Sequence, residues 1–233
     1  MIVTLTKHGL RLSQHGVVIS ELRTTPGPTH SVVDVLAALI AVLAPAGRIG
    51  ILGFAGGGIM APLHALGVET VIDSVDLEQV GYNLFRQHCP EWIDRVNWQQ
   101  GDAVAWLRQQ APKFGLLVDD LSVSSDGDVV KPSICWKVVP RLIARRLGPG
   151  GFAVFNLLLR PKGKWSPDVE KIAGLFNTAR IINLDEFENR ILVTGDALPS
   201  SREIGRHLRI ILKTLRSRQA GRFQVQTIPS FLV

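Results

Sequence analysis

Short apolar runs broken by glycine open the chain. Ile2-Val3-Thr4-Leu5, Leu10-Arg11-Leu12 and Val17-Val18-Ile19 are separated by Lys7-His8-Gly9 and by Gly16, a pattern of β-hairpins. Thr25-Pro26-Gly27-Pro28 stops these strands and marks a joint. Residues 1–28 are therefore expected to form a small β element and residues 29–233 the main domain. A helix predicted over 31–44 starts at Ser31, with Asp34 three residues on, and is apolar nearly all round, as a buried helix is. From Arg48 the rhythm changes. Ile49–Phe54, Thr70–Val75, Arg95–Gln100, Gly115–Val118 and Gly151–Leu157 read as strands with helical intervals between them, Pro132–Arg146 among these. Such alternation builds βαβ units with right-handed crossovers and a mostly parallel sheet. A helix over Val169–Phe176 then precedes Arg180–Leu184 and Ile191–Val193, whose short connection makes them an antiparallel pair. Ser200-Ser201-Arg202-Glu203 opens a last helix, ended by Gly221, and Phe223–Thr227 alternates like a closing edge strand.

Composition narrows the classes. The 233 residues are 46% apolar and 20% charged, which excludes disorder as the main state. The longest apolar stretch, Val35–Ala46, is far short of the ~20 residues that cross a bilayer. Met1–Lys7 has no basic segment leading into an apolar one. A cytoplasmic protein without membrane contact is expected. Cys89 and Cys135 are read as free thiols. The six histidines show no ligand spacing, so no metal is expected. Neither Gly-x-Ser-x-Gly nor a Walker loop occurs. Trp136 and Trp165 flank strand-end loops and are read as pocket-rim residues.

The net charge of +6 adds one local feature. At ~100° per residue, Arg202, Arg206, Arg209, Lys213 and Arg216 share one face of the last helix, opposite Ile204, Leu208, Ile211, Leu212 and Leu215. A docked helix with a solvated basic side, a nucleic-acid surface over 201–218 and a homodimer contact all remain open. The lack of aromatics among the arginines disfavours nucleic acid.

Chemistry concentrates at the strand ends. Ala55-Gly56-Gly57-Gly58 lies between the first strand of the alternating region and its helix, where glycines let backbone N–H groups approach a ligand. Asp76 ends the second strand about 20 residues on, where a carboxylate can accept both hydroxyls of a ribose. Asp102 and Asp120 end the third and fourth. A single such Asp is more often a helix cap; three beside a glycine turn mark the crevice where open α/β sheets bind ligands. A nucleoside-type pocket is expected.

The span Arg48–Leu158 resembles the nucleotide-binding core of class I S-adenosylmethionine-dependent transferases, and within them the spermidine synthase-like aminopropyltransferases. The resemblance rests on the glycine turn, Gly101-Asp102-Ala103, Val118-Asp119-Asp120 and the Leu147-Gly148-Pro149-Gly150-Gly151 turn before the fifth strand. It implies a Rossmann-like methyltransferase fold: a mostly parallel seven-stranded sheet with a C-terminal antiparallel hairpin and a short N-terminal β element. It implies S-adenosylmethionine or its decarboxylated form as nucleoside cosubstrate, passing a methyl or aminopropyl group to an amine-type acceptor. The binding set it implies is Ala55, Gly56, Gly57 and Gly58, Asp76 on the ribose with Leu77 beside it, Asp102 on the adenine with Ala103 beside it, and Asp120. Asp120 would also be catalytic, orienting or deprotonating the attacking amine. Asp119 either raises the pKa of Asp120 as a neighbouring like charge or, being adjacent on a strand, points elsewhere.

The sequence also departs from the family. Gly58 stands where the family has an acid that binds the amine. Leu121-Ser122-Val123 follows Asp120 where a second acid is expected, so Asp126 or Asp128 would have to substitute from the loop. Gly53 stands where most methyltransferases carry an acid, and Tyr82 is the only tyrosine available to shape a polyamine channel. These departures leave two alternatives: a methyltransferase acting on a small molecule or nucleic acid, and a non-catalytic binding protein with a degenerate nucleoside pocket.

Overall fold

The computed structural model describes residues 1–43, 45–110, 113–158 and 165–229. Three antiparallel strands, β1 (Ile2–Thr6), β2 (Gly9–Gln14) and β3 (Val17–Arg23), form a sheet of their own. Leu10, Leu12 and Leu22 drop from it into the main core. Helix α1 (Val32–Leu43) follows, and the last residue of its predicted span, Ala44, lies outside the described residues. Its Asp34 is fully buried. The carboxylate accepts the backbone N–H and hydroxyl of Thr29 at 2.7 and 2.8 Å and the N–H of His30 at 2.9 Å. It thus ties the Pro-Gly joint to the helix rather than capping Ser31 alone.

The alternating region gives β4 (Ile49–Leu52), α2 (Met60–Ala65), β5 (Ile72–Asp76), α3 (Gln79–His88), β6 (Val96–Gln100), α4 (Ala103–Gln109) and β7 (Phe114–Asp119). A small hairpin, β8 (Val123–Ser125) and β9 (Asp128–Val130), leads to a 3-10 turn at Ser133–Trp136, then α5 (Val139–Arg146) and β10 (Leu147–Leu157). The helix expected over Pro132–Arg146 is therefore broken in two. Pro140 lies in the first turn of α5; its missing N–H and its ring prevent a helix from running through from Trp136. The chain ends with α6 (Trp165–Ala173), β11 (Thr178–Leu184), β12 (Arg190–Gly195), α7 (Ser201–Thr214) and β13 (Phe223–Ile228).

The main sheet has the order β13-β11-β12-β10-β7-β4-β5-β6. The five strands from β10 to β6 are parallel and the other three antiparallel. The expected architecture is present with one correction: eight strands, not seven, because the closing strand 223–228 pairs with β11 from Ala179 to Leu184. Helix α7 ends earlier than Gly221. Arg216 takes φ 60°, and the N–H groups of Arg216 and Ser217 turn back to the carbonyls of Lys213 and Leu212, a Schellman stop with arginine in the left-handed position. Its start is the expected capping box between Ser200 and Glu203.

Alternation along the strands divides the core between the two faces. Leu116, Val118, Val154 and Val193 meet α1, α2, α3 and α7, while Leu117, Ala153, Phe155 and Leu192 meet α4, α5 and α6. One charged pair is buried at the sheet's C-terminal edge. Lys131 Nζ donates to Asp119 Oδ1 at 2.8 Å and to the Asp119 carbonyl at 3.1 Å, with both side chains at 0% exposure. Cys135 adds a weak Sγ donor at 3.6 Å. The pair pins β7 to the chain that returns from the β8–β9 hairpin. Removing one partner leaves a buried uncompensated charge, so Lys131→Met is expected to cost about 3–5 kcal/mol in urea unfolding. Adding Asp119→Leu should restore much of it. A single-variant loss below about 1 kcal/mol would show that the pair does not hold this corner.

Candidate functional site

The C-terminal ends of β4, β5 and β7 meet where the strand order reverses, between β4 and β7, the crevice in which open α/β sheets bind ligands. A cavity of about 390 Å³ opens there, within the usual range for small-molecule sites. Ala55, Asp76, Leu77, Asp102, Ala103 and Asp120 all line it, along with Gly53, Glu78, Gly81 and Gly101. The N-terminal sheet and the β8–β9 hairpin also contribute, through Leu12, Gln14 and Ile19 and through Val123 and Ser124. These two are joined where His15 Nε2 meets Ser124 Oγ at 2.5 Å.

The three aspartates differ in their surroundings. Asp76 Oδ2 accepts the N–H groups of Phe54 and Ala55 at 2.8 and 2.7 Å, so it braces the glycine turn as well as facing the cavity. Among the described residues its Oδ1 accepts only the N–H of Glu78, at 3.3 Å. Asp102 is the N-cap of α4, its Oδ1 accepting Ala105 N–H at 2.8 Å; its Oδ2 has no partner among the described residues. Asp120 follows the last residue of β7. Its carboxyl lies at the floor of the cavity, enclosed by protein on most sides, and burial pushes its pKa up to about 6. A hydrogen bond from Asn156 Nδ2 at 2.7 Å and the positive charge of Lys131 act the other way. Asp119 adds a smaller upward push, although its own side chain faces inward to Lys131.

Asn156 belongs to a longer chain. Asn189 Nδ2, in the turn between β11 and β12, donates to Asn156 Oδ1 at 2.9 Å, so the antiparallel extension of the sheet orients the amide that orients Asp120. No spacing pattern marks Asn156, Asn189 or Lys131 in the sequence; a polar residue closing an apolar strand is the only hint.

Of the four residues of the glycine turn, Ala55 lines the main cavity. A Cβ at Gly56 would meet Leu12 and Ser20, and one at Gly57 the rings of Phe54 and Phe85. Gly58 borders a second, much smaller void of about 20 Å³, shared with Ala55 and Asp120 and lined by Ile19, Val33, Leu36, Ile51, Ile59 and Val118. Gly53 has φ +88°, and a Cβ there would sit 2.7 Å from the Asp120 carbonyl oxygen; the absence of an acid at this place has a backbone cause. Gly81 on α3, which the sequence did not single out, faces Ala55 so closely that a Cβ would stand 2.0 Å from the Ala55 carbonyl oxygen.

Other expected residues lie elsewhere. Asp126 and Asp128 are exposed in the β8–β9 hairpin and bring no second acid to Asp120. Tyr82 stacks on Trp98 at 4.3 Å between ring centroids. Trp136, 6% exposed, and Trp165, covered by the Arg190 guanidinium at 4.6 Å, do not rim this cavity. Both cysteines are free and buried, and burial pushes their thiol pKa values up, Cys89 to about 11. Among the described residues no three His, Cys, Asp or Glu converge as a metal site, and no helix is long and apolar enough to cross a membrane. On α7 the expected faces hold, with Ile204, Leu208 and Leu212 buried and Arg209 lying over the Phe223 ring at 5.3 Å.

No protein-family model matches this sequence, and no curated protein matches it. Solved structures do. Human methyltransferase-like protein 13, in complex with SAH, aligns with a TM-score of 0.62 at 17% identity over 79% of this chain and 90% of its own. Spermidine synthase from Thermotoga maritima aligns with a TM-score of 0.60 at 11% identity over 85% of this chain and 68% of its own. A spermidine synthase in complex with the transition-state analogue AdoDATO aligns at 0.61 and 10% identity over 87% of this chain and 75% of its own. At these identities the likeness establishes the fold: this chain has the Rossmann-like methyltransferase fold.

The close approach of α3 to the turn yields a test. Gly81→Ala is expected to lower stability by about 1–3 kcal/mol through overpacking. Gly101→Ala, whose nearest neighbour would be Val75 Cγ2 at 4.0 Å, should stay within about 0.5 kcal/mol of the parent. Equal effects in thermal unfolding would refute the contact.

Proposed function

We propose that this protein is a transferase that binds S-adenosylmethionine and passes its methyl group to a small amine-type acceptor. The reading is carried by the position of Asp120: one carboxyl, with a pKa raised to about 6, borders both the nucleoside-sized cavity and the small void beside it. A group so placed stands between a cosubstrate and whatever attacks it.

The residues present suit such a ligand. The cavity has the volume for a nucleoside. Asp76 Oδ1 and Asp102 Oδ2 offer acceptors to ribose hydroxyls and an adenine amino group, Leu77 offers an apolar surface to the base, and Gly101, where a Cβ would meet only Val75 at 4.0 Å, adds no side chain to the wall. When bound, the sulfonium supplies an electrophilic carbon and a neutral thioether leaving group. Asp120 holds the acceptor by its N–H and takes the proton as the new N–C bond forms and the C–S pair returns to sulfur. Asn156, itself held by Asn189, keeps the carboxylate aimed. Ile19, Ile51, Ile59 and Val118 exclude water from the acceptor side, which leaves orientation and desolvation as the protein's contribution.

The void that Asp120 shares with Gly58 has no acid besides Asp120 among its lining residues, which disfavours a polycationic acceptor and, with it, aminopropyl transfer. Aminopropyl transfer from the decarboxylated cosubstrate is the second reading, supported by the larger share of this chain that aligns with the spermidine synthases.

Calorimetric titration with S-adenosylmethionine, its decarboxylated form and methylthioadenosine tests the reading. Saturable binding with S-adenosylmethionine tightest is expected, and no heat with any of the three from folded protein would overturn it. With a panel of small amines, release of S-adenosylhomocysteine should depend on Asp120. Asp120→Asn is expected to keep nucleoside affinity and lose about 10²-fold or more in rate. Because the base acts as carboxylate, the rate should fall as pH drops through about 6 and level off above it; a rate that rises toward acid would exclude this role.

A further inference from the structure

A second depression, of about 540 Å³, lies on the other side of the Ser133–Trp136 turn, with Ile134 lining the aspartate cavity and Trp136 this one. Its charge is of one sign. Arg108 comes from the end of α4, Lys137 from the turn before α5, Arg141 and Arg145 from α5, and Lys171 from α6. Among the described residues no carboxylate lines it. Lys171 has Asp168 at 3.9 Å on its own helix. The side chains of Arg108, Lys137, Arg141 and Arg145 carry no hydrogen bond or ion pair among the described residues. Arg146, next in sequence, shows what a structural arginine does here: its guanidinium donates to the carbonyls of Leu107 and Arg108 at 2.6 and 2.9 Å, closing the end of α4. Arg108, Lys137, Arg141 and Arg145 have no such task among the described residues. They are clustered despite their mutual repulsion.

Apolar surface accompanies the charge. Val138 and Leu175 remain 37% and 38% exposed, and both line the groove over Leu142 and Ile172. Charge with exposed aliphatic side chains specifies more than a solvated face. We propose that this groove docks an acidic amphipathic helix of a partner protein, its carboxylates on the cations and its apolar stripe on Val138 and Leu175. Lys137, Arg141 and Arg145 recur every four residues. On a docked helix, residues three and four apart share one face, so glutamates at that spacing meet them in register, while apolar anchors fill the groove. Charge complementarity supplies encounter rate and orientation, and apolar burial supplies the residence. RNA fits less well. Trp136 is 6% exposed and presents no ring face on which a base can stack. A phosphate backbone gains nothing from Val138 and Leu175.

Fluorescence anisotropy on the full chain tests this with three probes: a labelled helical peptide of about five turns with leucines on one face and glutamates elsewhere, the same composition scrambled to remove the apolar face, and a single-stranded RNA of equal charge. The amphipathic peptide is expected to bind in the micromolar range, at least about tenfold tighter than the scrambled one, and to weaken with salt. Arg141→Glu with Arg145→Glu should weaken it at least about tenfold without changing the thermal midpoint. If that pair does not fold, Arg141→Gln with Arg145→Gln should weaken it about threefold or more. No saturable binding, equal binding of the scrambled peptide, insensitivity to the substitutions, or tighter binding of the RNA at this groove would each overturn the proposal.

Discussion

The crevice depends on backbone brought unusually close to backbone, and one carboxylate holds it there. Asp76, at the end of β5, takes two consecutive N–H groups from the turn after β4 on a single oxygen. The same turn is pressed by Gly81 of α3 from one direction, while Gly53 beneath it meets the backbone of Asp120. Three parallel strands, one helix and one turn therefore share a register that no single element could set. Buried N–H groups must find acceptors, and here the acceptor is a side chain because the chain has left the sheet before its ladder can satisfy them. The aspartate that a ligand would use is thus already part of the frame that shapes the ligand's space.

The sheet was legible because parallel strands covered on both faces become continuous apolar runs. Ile49–Leu52, Leu116–Val118 and Ala153–Phe155 announce themselves in this way. The crevice was legible for a related reason: strand-end aspartates after such runs stand at the one edge where ligands gather. What the sequence hid was context. Nothing in the run Val129-Val130-Lys131-Pro132 marks the lysine as buried, yet the return of the β8–β9 hairpin buries it against Asp119. Asn156 and Asn189 are far apart in sequence and meet only because β10 and β12 pair. Gly56 and Gly57 signalled close approach, and Leu12, Phe54 and Phe85 are neighbours the pattern alone did not name. Period and composition report burial; they do not report which neighbour does the burying.

The two depressions share a wall. The 3-10 turn at Ser133–Trp136 turns one side chain, Ile134, to the aspartate cavity and another, Trp136, to the basic groove, and between them Cys135 touches the Lys131–Asp119 pair. A buried ion pair resists displacement because neither charge can be left alone in the interior. The pair therefore anchors the wall between the two spaces, and each keeps its own chemistry, acidic on one side and cationic on the other. The net +6 of the chain averages over surfaces of opposite character.

The Asn189–Asn156–Asp120 chain gives the β11–β12 connection an unusual evolutionary position. Surface hairpin turns ordinarily accept insertions at small thermodynamic cost, and the charged run Asp185-Glu186-Phe187-Glu188 resembles such a turn. Its closing residue, however, is hydrogen-bonded to the side chain that fixes the floor of the crevice. Chain length in this turn is therefore constrained from the inside: homologues free to lengthen it would need another donor for Asn156, and lineages that keep the aspartate should keep the turn's length with it.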